Sequence, residues 1–134
     1  ELGNIDAKRD WGYAKDYVEG MYLMLQTDVS DSYVLATGRT EKVRYFVEMC
    51  CKTVNINIVW KGTGIDEVGF DSDTGKEIIK INPQLYRLAE VEILMGDPTK
   101  AKKELGWETK TSLEDLCKKM IEADIKRVDK GIHF

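Results

Sequence analysis

Three arginines stand where an anionic ligand could be gripped: Arg9, Arg44 and Arg87. Arg9 belongs to the run Lys8-Arg9-Asp10-Trp11-Gly12, between a short extended segment and a helix. A guanidinium has the planar fork that binds a diphosphate bidentately, and Asp10 could hold that fork in place. An ordinary surface ion pair would have the same spacing. Arg87 and Glu90 are three residues apart in Tyr86-Arg87-Leu88-Ala89-Glu90. In a helical turn they share a face, so the pair reads either as phosphate and ribose contacts or as a simple salt bridge. Arg44 opens a helix, where a cation opposes the helix dipole, and that misfit suggests a second role. The helix N-terminus itself could also hold an anion.

Other chemistries find little material. Nucleophilic catalysis needs a base beside its Ser or Cys, and the only histidine is His133, which reads as part of a frayed end. Cys50, Cys51 and Cys117 are an odd count with two adjacent, which fits reduced thiols in a cytoplasmic compartment better than a disulfide framework. Cys50 is expected to face inward as a structural thiol. No His/Cys set has metal-ligand spacing. Asp71, Asp73 and Glu77 lack the pattern of a calcium loop and read as a solvated acidic loop. Gly62-Thr63-Gly64 lacks the third glycine and the following helix of a dinucleotide loop, so it reads as a turn.

The elements that must position these residues alternate between helix and strand. Helices are expected over 13–26, with Ala14, Tyr17, Val18, Met21, Met24 and Leu25 inward, and over 42–54, with Val43, Phe46, Val47 and Cys50 inward. Short strands are expected at 33–36, 56–60 and 78–81, and an exposed loop over 61–75. Asp97-Pro98 starts a short helix that Gly106 ends. Ser112 caps a last helix, with Asp115 at the capping-box position and Leu113, Leu116, Met120, Ile121, Ile125 and Val128 inward. The 134 residues suffice for one α/β domain of mixed α+β character. A net charge of −4 argues against a general nucleic-acid binder, and no apolar run spans a membrane. The first residue is Glu1 rather than Met, as expected of a piece of a longer protein.

The run from Leu2 to Gly12, followed by Ala14-Lys15-Asp16-Tyr17-Val18, resembles the LGNxDAKRDWGxAKDYV stretch of GDP-mannose 4,6-dehydratases, which are extended short-chain dehydrogenase/reductase enzymes. The likeness continues through Ala36-Thr37-Gly38, Val43-Arg44, Phe46-Val47-Glu48 and Glu67-Val68-Gly69. It resumes at Tyr86-Arg87, Ala89-Glu90-Val91-Glu92, Gly96 to Lys102 and Leu105-Gly106-Trp107.

The resemblance implies that residues 1–134 are the substrate-binding part of a larger enzyme whose Rossmann half, with its NADP site and catalytic groups, lies outside this chain. It implies no catalytic residue here. Arg9 and Arg87 would clamp the diphosphate of GDP-mannose and Glu90 would contact its ribose, with Lys8 and Arg44 as secondary phosphate ligands. The intact enzyme would yield GDP-4-keto-6-deoxy-mannose and assemble as a homodimer or tetramer. This part alone would bind GDP-mannose weakly. A non-catalytic module with the same fold, or a related GDP-sugar epimerase or 4-ketoreductase, are the competing readings. Three positions depart from the pattern: Leu88 for Pro, Tyr13 for His, and Lys42 for Ser, the last removing a helix cap.

Overall fold

The computed structural model describes residues 1–86 and 95–131. Its elements run β1 (Lys8–Arg9), α1 (Ala14–Met24), β2 (Glu41–Lys42), α2 (Val43–Thr53), β3 (Ile58–Lys61), β4 (Val68–Asp71), β5 (Glu77–Lys80), α3 (Thr99–Leu105) and α4 (Leu113–Asp129). Single 3-10 turns occupy Gly64–Asp66 and Pro83–Leu85. β1 and β2 form a two-stranded antiparallel ribbon, while β3-β4-β5 form an antiparallel sheet. The amino-terminal segment zips onto the end of β5: Leu2 N–H donates to the Lys80 carbonyl, and Asn82 N–H donates to that of Leu2. α2 packs on α4, and α1 on α3.

Local signals place the helix ends well. The Ser112 hydroxyl accepts from Asp115 N–H at 3.1 Å, the capping geometry its spacing predicts. The Asp97 carboxylate accepts from Thr99 N–H at 2.9 Å, although Pro98 rather than Asp97 occupies the cap position of α3. Gly106 ends α3 with φ of 66°, a left-handed conformation that costs glycine little. Lys42 precedes α2 with no side-chain cap, as its replacement of Ser implies.

Four expectations need correction. The stretch 61–75 contains β4, paired on both sides, because a short strand with a glycine at its centre shows no clear alternation until its neighbours supply the ladder. Gly69 sits close against its neighbour strand: a Cβ would lie 2.7 Å from Ile58 Cδ1, whose side chain would have to move. Residues 33–36 make no strand pairing among the described residues; Ala36 is buried, but an apolar run is a strand only beside a partner.

The face of α1 is the third correction. Asp16 and Gly20 are its buried residues, while Val18, Met21, Tyr22 and Leu25 are exposed. Asp16 turns inward because its carboxylate accepts from the backbone N–H groups of Lys110 and Thr111, at 3.1 and 3.0 Å. Gly20 lets the helix sit against Trp107 and Leu35. Finally, the expected α4 stripe is buried only at its start, at Leu113 and Leu116, where Cys117 joins them; Met120, Ile125 and Val128 are exposed.

Candidate functional site

A cavity of about 340 Å³ opens beside the end of β1, lined by Arg9, Asp10, Tyr17, Ala36, Met95 and Gly96 among others. β1 brings Arg9 to it, held in register opposite Glu41 of β2. Successive strand residues point to opposite faces, so Lys8 is directed away from the face that Arg9 presents. The Arg9 guanidinium also donates to the Lys8 carbonyl at 2.7 Å. Asp10 does a different job from the one its position suggests. Its carboxylate accepts from Thr37 N–H at 3.1 Å, the Thr37 hydroxyl at 2.7 Å and Gly38 N–H at 3.1 Å. It therefore holds the 37–38 turn beside the cavity.

Tyr17 supplies a phenol. Burial, then the charges of Asp10 and Asp16, push it above its ordinary value, so it stays protonated and can donate to a ligand oxygen. Gly12 makes room for it: a Cβ there would lie 2.3 Å from the Tyr17 oxygen. Neither role was visible in the residue spacing, although both residues fall in the run that carries the family resemblance. Arg87 and Glu90 lie outside the described residues, as does His133; the cavity lining reaches Met95 and Gly96, just past that stretch.

Arg44 is placed in a separate network. Its guanidinium donates to both Glu67 oxygens, at 2.5 and 2.8 Å, and to Asp6 at 3.1 Å, and it stacks 4.8 Å from the Trp60 ring centroid. Glu67 is buried, and Lys42 joins Asp6 at 3.0 Å. The hydrogen bond to Glu67 raises the Arg44 value most, with Asp6 adding to it. The α2 N-terminus is also occupied from within: Val43 N–H donates to the Ala7 carbonyl at 3.1 Å and Arg44 N–H to that of Ile5 at 2.8 Å. Two of the helix's leading N–H groups are thereby satisfied, which corrects the idea of an open anion site there. The cation at the helix start is explained by carboxylates 23 and 38 residues away in sequence. Spacing could not reveal these partners.

Chiefly the Arg44 hydrogen bond, with Lys42 adding to it against the opposing effect of burial, holds the Asp6 carboxyl below the usual 3.8. A lowered folded value means that this stabilisation is present above the unfolded value and is lost as pH falls through the folded one. Asp6 is half exposed, so its share is less than about 1 kcal/mol. Asp6→Asn should reduce the slope of stability against pH below about pH 4, measured by urea denaturation across the acid range. An unchanged slope would show that the pair is not formed in solution.

The fold has clear counterparts. RMD from Pseudomonas aeruginosa in complex with NADPH matches with a TM-score of 0.70 at 16% identity, over 94% of this chain and 35% of that one. The UDP-glucose 4-epimerase of Thermotoga maritima with UDP-glucose matches with a TM-score of 0.71 at 23% identity, over 96% and 35%. These likenesses are of fold: they define a mixed α/β unit that corresponds to about a third of each of those chains.

The chain belongs to the GDP-mannose 4,6 dehydratase family, whose model matches residues 1–120. It is 48% identical to the GDP-mannose 4,6 dehydratase of Drosophila melanogaster over 98% of its length, and 49% identical to that of Dictyostelium discoideum over 97%. The human enzyme is 46% identical over 93%. The chain spans about a third of the length of each of these relatives.

Proposed function

We propose that this chain is the GDP-sugar-binding part of a GDP-mannose 4,6-dehydratase, which converts GDP-mannose to GDP-4-keto-6-deoxy-mannose and water. The observation that carries this reading is the near-complete match of the chain to enzymes of that name, combined with a guanidinium presented to a cavity by β1. In this reading Arg9 grips the diphosphate, with Arg87 as its counterpart and Glu90 on the ribose. Lys8 and Arg44 are secondary, since Lys8 faces away from Arg9 and Arg44 is engaged by Glu67 and Asp6. Contacts to the nucleotide supply binding energy that positions the hexose for a reaction occurring elsewhere on it.

The Gly62–Gly64 turn does not fit the diphosphate of a nicotinamide cofactor. It is filled by the protein itself, since a Cβ at Gly62 would lie 2.4 Å from the Asp66 carbonyl oxygen. In this reading NADP and the groups that carry out hydride transfer belong to the remainder of the enzyme. The exposed stripe Val18, Met21, Tyr22 and Leu25 supports a further contact surface on α1, because residues at this spacing form one continuous apolar face.

Calorimetric titration with GDP-mannose, GDP and UDP-glucose tests the reading. Guanine-selective binding is expected, weakened roughly tenfold by Arg9→Ala and again by Arg87→Ala, the loss of one charge-assisted contact each. Equal affinity for UDP-glucose, or binding indifferent to both substitutions in folded protein, would sink it.

A further inference from the structure

The α2–α4 seam brings two thiols together. Cys50 Sγ of α2 lies 3.1 Å from Cys117 Sγ of α4, across 67 residues of sequence. Cys117 is buried and Cys50 half-buried, and both are free. Cys51, next to Cys50 on α2, is also buried and feels the charge of Cys117, but the Sγ in hydrogen-bond contact with Cys117 Sγ is that of Cys50. A disulfide needs sulfurs about 2.05 Å apart, so closure asks for a relative movement of about 1 Å. A cavity of about 510 Å³, lined by Tyr45, Met49, Thr53 and Glu114, reaches Cys117, and Cys50 is itself only half-buried.

We propose that Cys50 and Cys117 are an oxidative crosslinking site, closing to a reversible disulfide that pins α2 to α4. The oxidant is a peroxide. The Cys50 thiolate attacks one peroxide oxygen, the O–O bond breaks, and the other oxygen leaves as water with the thiol proton. The Cys117 thiolate then attacks the sulfenic sulfur, the S–O bond breaks, and a second water leaves. Two thiols are thus oxidised by two electrons as one peroxide becomes two waters. Thiol–disulfide exchange with an external dithiol reverses the bond. Burial pushes the Cys50 thiol up to about 12, so thiolate is scarce at neutral pH and closure is slow. The crosslink joins the helix that begins beside Arg44 to the one whose far end carries exposed Met120, Ile125 and Val128.

The 134-residue chain, incubated in its folded state with hydrogen peroxide to completion, tests this by alkylation and peptide mass mapping. A peptide pair joining Cys50 to Cys117 is expected, retained in Cys51→Ser and absent in Cys117→Ser and in Cys50→Ser. The half-buried Cys50 position guards against a folding failure of the buried one. Oxidised protein should melt higher, by on the order of 10 °C, with the gain erased by dithiothreitol. Cys50 joined instead to Cys51 or to another copy, or over-oxidised Cys50 beside a free Cys117 thiol, would overturn the proposal.

Discussion

Trp107→Ala should cost this protein about 3–5 kcal/mol, the range for removing a large buried aromatic. Trp107 is only 2% exposed and stands just past the left-handed Gly106 that ends α3. Its ring stacks on Tyr17 with centroids 5.8 Å apart, and its Nε1–H donates to the Asp16 carbonyl at 2.7 Å. Gly20 allows α1 to approach the indole, and Ala101 beneath is fully buried. Truncation therefore leaves a cavity where α1 meets α3 and removes the donor from a buried carbonyl. Total stabilities are about 5–15 kcal/mol, so much of the margin would be lost. Trp107→Phe keeps most of the ring but not the N–H, and should cost about 1–2 kcal/mol. Thermal and urea denaturation followed by circular dichroism would measure both. A loss under about 1 kcal/mol for Trp107→Ala would mean that the α1–α3 contact is not part of the cooperative core.

Glu67→Gln is the second large effect, at about 2–3 kcal/mol. Breaking a buried pair by removing one partner costs about 3–5 kcal/mol, because the other charge is left uncompensated. Here the cost is smaller: Arg44 keeps Asp6 and its stack on Trp60, and its side chain is 22% exposed. The Trp60 Nε1–H is held by Glu48 at 2.9 Å, so the platform under Arg44 stays in place. The double change Arg44→Met, Glu67→Leu should cost less than the two single changes added together, since neither charge is then stranded. Strict additivity in that cycle would show that the two side chains do not interact. The network links the residue before β4, α2 and the segment before β1, so its loss should also loosen the ribbon that carries Arg9.

Much of the frame was legible in the sequence because its causes are local. Ser112, Gly106 and Asp97-Pro98 mark helix ends through contacts spanning a few residues, and the structure places the ends there. The long run from Leu2 to Val18 carried the family resemblance, since a specific contiguous block is information that does not depend on knowing the fold. The same run contained Arg9, and its position on β1 beside a cavity follows from Glu41 and Lys42 pairing with it 32 to 34 residues later.

What only the tertiary structure decided is which partner each side chain meets. The apolar periodicity of α1 pointed to the wrong side, because burial there is set by the N–H groups of Lys110 and Thr111, which need Asp16. β4 was hidden in an apparent loop, because a short strand becomes one only between β3 and β5. Asp10 serves Thr37 and Gly38, Arg44 serves Glu67 and Asp6, and Cys50 meets Cys117, all through long-range contacts. Sequence alone determined where helices begin and end and the family to which they belong, since backbone hydrogen bonds and caps act over a turn or two. The pairing of charges, thiols and buried faces required the folded chain, because these interactions depend on distance in space.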